Sequence, residues 1–234
     1  MARKKKAATG WRLRAIGALV LLALIGAGWF WWHLQSWTPP VAEYPDQGVE
    51  VGAGDGPINF RTLRALGAKF VYIDASDGGK GANRRFAADL AAASAAGLKV
   101  GAVHRFDPCV LADGQSANFV TIVPRGGNLL PPAIALDRTA DGCPERVSEA
   151  AVESELMTLI NQIEAHAGKH AILRISRGFE SRYGLAERFE RNLWVVGTRF
   201  RPTYAKRPWL LWTANRRLDS PAADQPLRWV VVQP

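Results

Sequence analysis

Hydrophobic positions along the chain follow two regimes. Residues 15–32 form one unbroken run with no charged or strongly polar side chain. At a helical rise of ~1.5 Å per residue such a run spans roughly 27 Å, close to the ~30 Å hydrocarbon core of a bilayer. From Gly48 onward the apolar residues come in short bursts instead. Strand-like runs fall at 49–51, 70–75, 100–104, 133–137, 171–176, 193–196, 209–212 and 229–232. Helical spacing separates the earlier ones, at 84–96, 115–122 and 147–166. The last of these sets Val152, Leu156, Leu159, Ile160 and Ile163 on one face, with Ser148 placed to cap it and Gly168 to end it.

Strands alternating with helices predict parallel βαβ units, and eight strands predict an α/β fold closed as a reduced TIM-like β/α barrel. Too few residues separate the last three strands for intervening helices, so fewer than eight helices are expected. An open doubly wound sheet is the alternative, and it too would bind ligand at the strand C-termini.

Charge refines the picture at the N-terminus. The net charge is +9, but residues 1–42 contain six of the basic residues (Arg3, Lys4, Lys5, Lys6, Arg12 and Arg14) and no acid. The remainder is nearly balanced, which argues against a phosphate-tracking groove and a nucleic-acid partner. A basic stretch before the apolar run, with Trp29, Trp31 and Trp32 at its far end, predicts a single-pass anchor in the cytoplasmic membrane with the rest of the chain outside the cytoplasm. A cleaved signal peptide is the competing reading, but bulky aromatics occupy the place where small residues favour cleavage. The expected organisation is a basic cytoplasmic tail over 1–14, a transmembrane anchor over 15–32, a proline-containing linker over 33–47 and a barrel domain over 48–234.

Cys109 and Cys143 lie just past the third and fourth predicted strands, so neighbouring loops on one barrel face would bring them together as a disulfide. They form no CxxC pair of the kind that holds zinc, and no metal is expected. Neither a dinucleotide fingerprint nor a P-loop is present, so no cofactor is expected.

In a barrel, chemistry gathers where strands end. The polar residues there are Glu50, then Asp74 and Asp77, then His104 and Arg105, then Asp137 and Arg138, then Arg174. Several carboxylates converging on one mouth suit glycoside hydrolysis, which needs one carboxyl to protonate the leaving oxygen and another to act across the sugar ring.

The order of motifs also carries a likeness. It comprises Gly48-Val49-Glu50-Val51, Phe70-Val71-Tyr72-Ile73-Asp74-Ala75-Ser76-Asp77-Gly78, Gly101-Ala102-Val103-His104-Arg105-Phe106, Leu130-Pro131-Pro132-Ala133-Ile134-Ala135-Leu136-Asp137 and Trp209-Leu210-Leu211-Trp212. In this order the body resembles the glycoside hydrolase family 25 lysozymes, the Chalaropsis-type muramidases, with a degenerate catalytic motif. The resemblance implies a reduced β/α barrel and cleavage of the peptidoglycan β-1,4 bond. It implies Asp137 and Glu50 as catalytic carboxylates, and Asp74, Asp77, His104, Arg174 and Trp212 as substrate-binding residues. The departures are specific. The family's fourth-strand Asp-x-Glu reads Ala135-Leu136-Asp137 here, its first-strand aspartate is Glu50, and its fifth-strand tyrosine position is Arg174. A catalytically degenerate protein that binds peptidoglycan or a related glycan is therefore the alternative to a hydrolase.

Overall fold

The computed structural model describes residues 4–234, with the side chains of residues 4–10, 12, 13 and 33 outside that description. Of the expected basic tail, residues 1–3 lie outside the described residues, and of its side chains only Trp11 and Arg14 are described. Two compact units divide between Trp37 and Thr38.

The first unit is one helix, α1 (Lys4–Gln35). Within it Arg14–Trp32 is long and apolar enough to cross a membrane by length and composition. Its large side chains from Ile16 to Trp32 are exposed, so no protein core in this unit accounts for their hydrophobicity. The helix runs to Gln35, three residues into the expected linker.

The second unit is a closed barrel. Its strands are β1 (Gln47–Val51), β2 (Phe70–Asp77), β4 (Lys99–Arg105), β5 (Ala133–Leu136), β6 (Ile172–Ile175), β7 (Asn192–Val196), β8 (Leu211–Leu218) and β9 (Leu227–Val232), with β3 (Gly81–Ala82) a two-residue hairpin strand on the end of β2. The order β1-β9-β8-β7-β6-β5-β4-β2 closes through a β1–β2 pairing. Pairing is parallel from β1 round to β8, while β9 runs antiparallel to both β8 and β1. That reversal explains the short final connection: an antiparallel neighbour needs only a turn, whereas a parallel one needs a crossover.

Helices α2 (Phe60–Ala65), α3 (Phe86–Ala95), α4 (Ala112–Ile122), α5 (Glu149–Ala167) and α6 (Arg177–Tyr183) pack around this sheet. None lies between β7 and β8 or between β8 and β9. α5 begins where Ser148 Oγ accepts from the Ala151 amide and ends at Gly168 in the left-handed conformation. α2 and α6 carry the same type of cap, with Asn59 accepting from Thr62 N and Ser176 from Phe179 N. Both are under two turns long, which is why apolar periodicity did not reveal them.

Side chains alternate across each strand, so every second residue enters the barrel. Phe70, Tyr72, Val103, Ala133, Ala135, Ile172, Trp194, Leu211 and Val230 form one buried cluster on that inner parity. Gly101 makes this packing possible. A Cβ there would stand 2.2 Å from Tyr72 Cε1, so only glycine lets the phenol ring lie across the neighbouring strand.

Cys109 and Cys143 are joined as a disulfide with Cα atoms 5.3 Å apart. It links the loop after β4 to the loop after β5, at the C-terminal end of the barrel.

Candidate active site

Continuing the inner parity upward from the apolar cluster leads to a layer of charge. Glu50 of β1, Asp74 of β2, Arg105 at the end of β4, Asp137 just past β5, Arg174 of β6 and Arg228 at the start of the antiparallel β9 converge at the barrel end where the parallel strands terminate. Asp55, in the turn after β1, closes the cluster by accepting from Arg228 Nη2 at 2.8 Å.

Glu50 lies at the bottom of this layer and is fully buried. Its Oε1 is 3.2 Å from Arg174 Nη1 and 3.8 Å from Arg105 Nη2, and its Oε2 is 3.6 Å from Arg228 Nε. A buried carboxylate is tolerable only when paired, and three guanidinium groups supply the pairing. Arg105 is the pivot of the cluster. Its Nε and Nη2 both donate to Asp74 Oδ2, at 3.0 and 2.8 Å, while Nη1 donates to Asp137 Oδ2 at 3.1 Å. Arg174 Nη2 donates to the same Asp137 oxygen at 2.5 Å. Asp137 Oδ1 accepts no hydrogen bond among the described residues, and the Asp137 side chain is 29% exposed against 10% for Asp74 and 0% for Glu50. Asp137 is therefore the carboxyl of the inner cluster that a ligand at the mouth would meet.

Burial holds the Asp74 carboxyl above the usual range, and Glu50 pushes the same way while Arg105 opposes. Its Oδ1 is buried without a partner. Burial alone would lower the Arg105 pKa, but Asp74 and Glu50 outweigh it and hold the guanidinium firmly charged.

A second, outer pair sits on the rim. Arg138 Nη1 and Nη2 each donate at 2.6 Å to the two oxygens of Asp77, a fork-to-fork ion pair, with Asp107 Oδ2 at 4.0 Å. Asp77 is thus near the mouth but engaged by Arg138 rather than by the inner cluster.

Two expected substrate contacts are corrected by side-chain parity. His104 precedes Arg105 and points the other way, towards α4. It is completely buried, with Nδ1 2.8 Å from Ser76 Oγ and Nε2 3.2 Å from Gln115 Oε1. Gln115 Nε2 is committed as donor to the carbonyls of Asp107 and Val110, so its oxygen must accept from His104 Nε2, and Nδ1 must accept from the Ser76 hydroxyl. The imidazole is a neutral structural link, with its pKa lowered by burial to about 4. Trp212 also faces away from the barrel interior, 2% exposed, edge-on to Tyr44 and Trp209. Neither residue reaches the mouth.

Arg174 does reach the mouth, as a ligand of both Glu50 and Asp137. Arg228 and Asp55 belong to the site and were not among the expected residues. The available signal was parity, since Arg228 is the sole charge in an apolar terminal strand. Its direction depended on the antiparallel turn, which the spacing did not reveal. Among the described residues no group of three His, Cys, Asp or Glu side chains is arranged to hold a metal ion.

The barrel that carries this site belongs to a known class. The sequence model of Glycosyl hydrolases family 25 matches residues 49–216. The chain belongs to this family, with a lysozyme-type barrel. Among solved structures, it is similar to a family 25 glycosyl hydrolase from Bacillus anthracis, at 24% identity and a TM-score of 0.74, covering 82% of this chain and 90% of that one. It is also similar to the bacterial lysozyme from Streptomyces coelicolor (18% identity, TM-score 0.71, 81% and 92% covered). A family GH25 lysozyme from Aspergillus fumigatus matches at 16% identity and a TM-score of 0.68, with 81% and 94% covered. No curated protein matches.

Proposed function

We propose that the chain is a lysozyme-type glycoside hydrolase acting on the glycan strands of peptidoglycan, held at the cytoplasmic membrane by residues 15–32 with its barrel outside the cytoplasm. The observation that carries this reading is the convergence of Glu50, Asp74 and Asp137 at the C-terminal mouth of a family 25 barrel, with Asp137 the most exposed of the three.

The roles follow from exposure. Protonating a glycosidic oxygen requires a carboxyl within hydrogen-bond reach of substrate. Asp137 meets that need through Oδ1, because Arg105 and Arg174 occupy Oδ2 and fix the plane of the carboxyl. Glu50, wholly buried, cannot touch a sugar and acts as a positioning residue that sets Arg174 and Arg105. Asp74 is the second carboxylate of the mouth, with Arg105 holding its Oδ2.

A second reading is a glycan-binding protein without turnover. Two guanidinium groups on one Asp137 oxygen, and an alanine at 135 beside it, favour that role. The discriminating experiment incubates the full chain in detergent with purified peptidoglycan. Release of soluble fragments with new reducing ends supports hydrolysis. Co-sedimentation with no new reducing ends supports binding alone.

A further inference from the structure

The opposite mouth of the barrel holds a feature unconnected with the site above. A cavity of about 440 Å³ opens there, within the roughly 300–1,000 Å³ range of small-molecule pockets. Its wall includes Phe70, Ile172 and Leu211, which are the first residues of β2, β6 and β8, and Val232, the last of the antiparallel β9. The floor is Tyr72, whose hydroxyl is spent on the Pro131 carbonyl at 3.1 Å, leaving the ring to face the cavity. The interior is thus apolar.

The rim is cationic. Arg64, Lys69 and Lys99 stand on it against one acid, Asp46. Asp46 is taken by Lys69 at 2.8 Å. Among the described residues neither Arg64 nor Lys99 forms an ion pair, so two cations border an apolar hole with no anion assigned to them. That combination is complementary to an amphiphile with one hydrocarbon chain to bury and a negative head to place at the edge. The membrane anchor proposed above for the same chain favours a membrane source.

We propose that this cavity binds an acyl chain of an anionic phospholipid, with the phosphate held by Lys99 and Arg64. The proposal rests on the membrane-anchored part of the functional reading above and is independent of the hydrolytic part. The test reconstitutes the full chain into phosphatidylcholine vesicles containing a trace of phosphatidylglycerol with a diazirine in its acyl chain, followed by irradiation and peptide mapping. Adducts are expected at two places, within residues 15–32 and on the cavity wall at 70–72, 172 and 211. Diazirine-bearing phosphatidylcholine is expected to label the helix but not the wall. Arg64→Glu with Lys99→Glu should cut wall labelling by about tenfold, as expected for cations near an anionic headgroup, and leave helix labelling unchanged. Adducts on the helix alone, or equal wall labelling by both lipids, would overturn the proposal. Wall adducts without helix adducts would uphold the cavity and remove the anchor.

Discussion

At the scale of single residues, function and stability divide along strand parity. Arg105 and His104 are adjacent, yet one is the pivot of the charged mouth and the other a buried link to α4. Reading the strand ends without their parity placed both at the site. Alternation could have separated them, because Tyr72 and Asp74 on β2 pair with Gly101 and Val103 on β4 and fix which residues of β4 point inward. The two residues also respond differently to change. Arg174→Met removes one of the groups pairing a fully buried Glu50, and breaking a buried pair from one side costs roughly 3–5 kcal/mol. A loss of that size is expected in urea denaturation of the variant. His104 has a folded-state pKa below its unfolded value of 6.5, at about 4. Its contribution is therefore whole above pH 6.5 and is lost as pH falls towards 4, on the order of 3 kcal/mol over that window. Denaturation curves at pH 7 and pH 4.5 should show the loss in the parent and much less of it in His104→Gln. Equal pH dependence in both would contradict the assignment.

At the scale of elements, most strands and the longer helices were legible because burial imposes a period. α5 shows this well: Ser148, the apolar stripe and Gly168 all stand where the pattern put them. What was not legible is tertiary. α4 is preceded by Leu111, which offers no side-chain cap, and its first amide, Ala112 N, instead donates to Glu155 Oε2 of α5 at 2.7 Å. A helix capped from another helix leaves no local signal. Glu155→Ala should therefore loosen α4 although residue 155 lies outside it, at about 1 kcal/mol, the usual worth of a cap. Faster amide exchange at Ala112 than in the parent would be the readout. Between loops the disulfide plays the comparable role. With its ends 34 positions apart in sequence, replacing Cys109 and Cys143 by serine should cost roughly 2–4 kcal/mol, seen as a lower thermal midpoint.

At the scale of the whole molecule, one covalent chain combines an apolar helix, a barrel whose C-terminal mouth is lined with carboxylates and arginines, and an opposite mouth that is apolar with a basic rim. The barrel was foreseeable from motif order, but the antiparallel closing strand was not, and with it went Arg228. Its guanidinium stands 3.6 Å from Glu50 Oε2, so the site carries a cation to which motif order did not point. Hydrolysis by this chain requires that the rewired mouth still transfer a proton through Asp137. The most direct measurement compares the parent full chain with Asp137→Asn for new reducing ends released from purified peptidoglycan, under matched conditions. The account predicts measurable release by the parent and a fall of at least about 100-fold in the variant, the lower range for loss of a general acid. Equal release by both, or none by a folded parent that still binds the glycan, would contradict it.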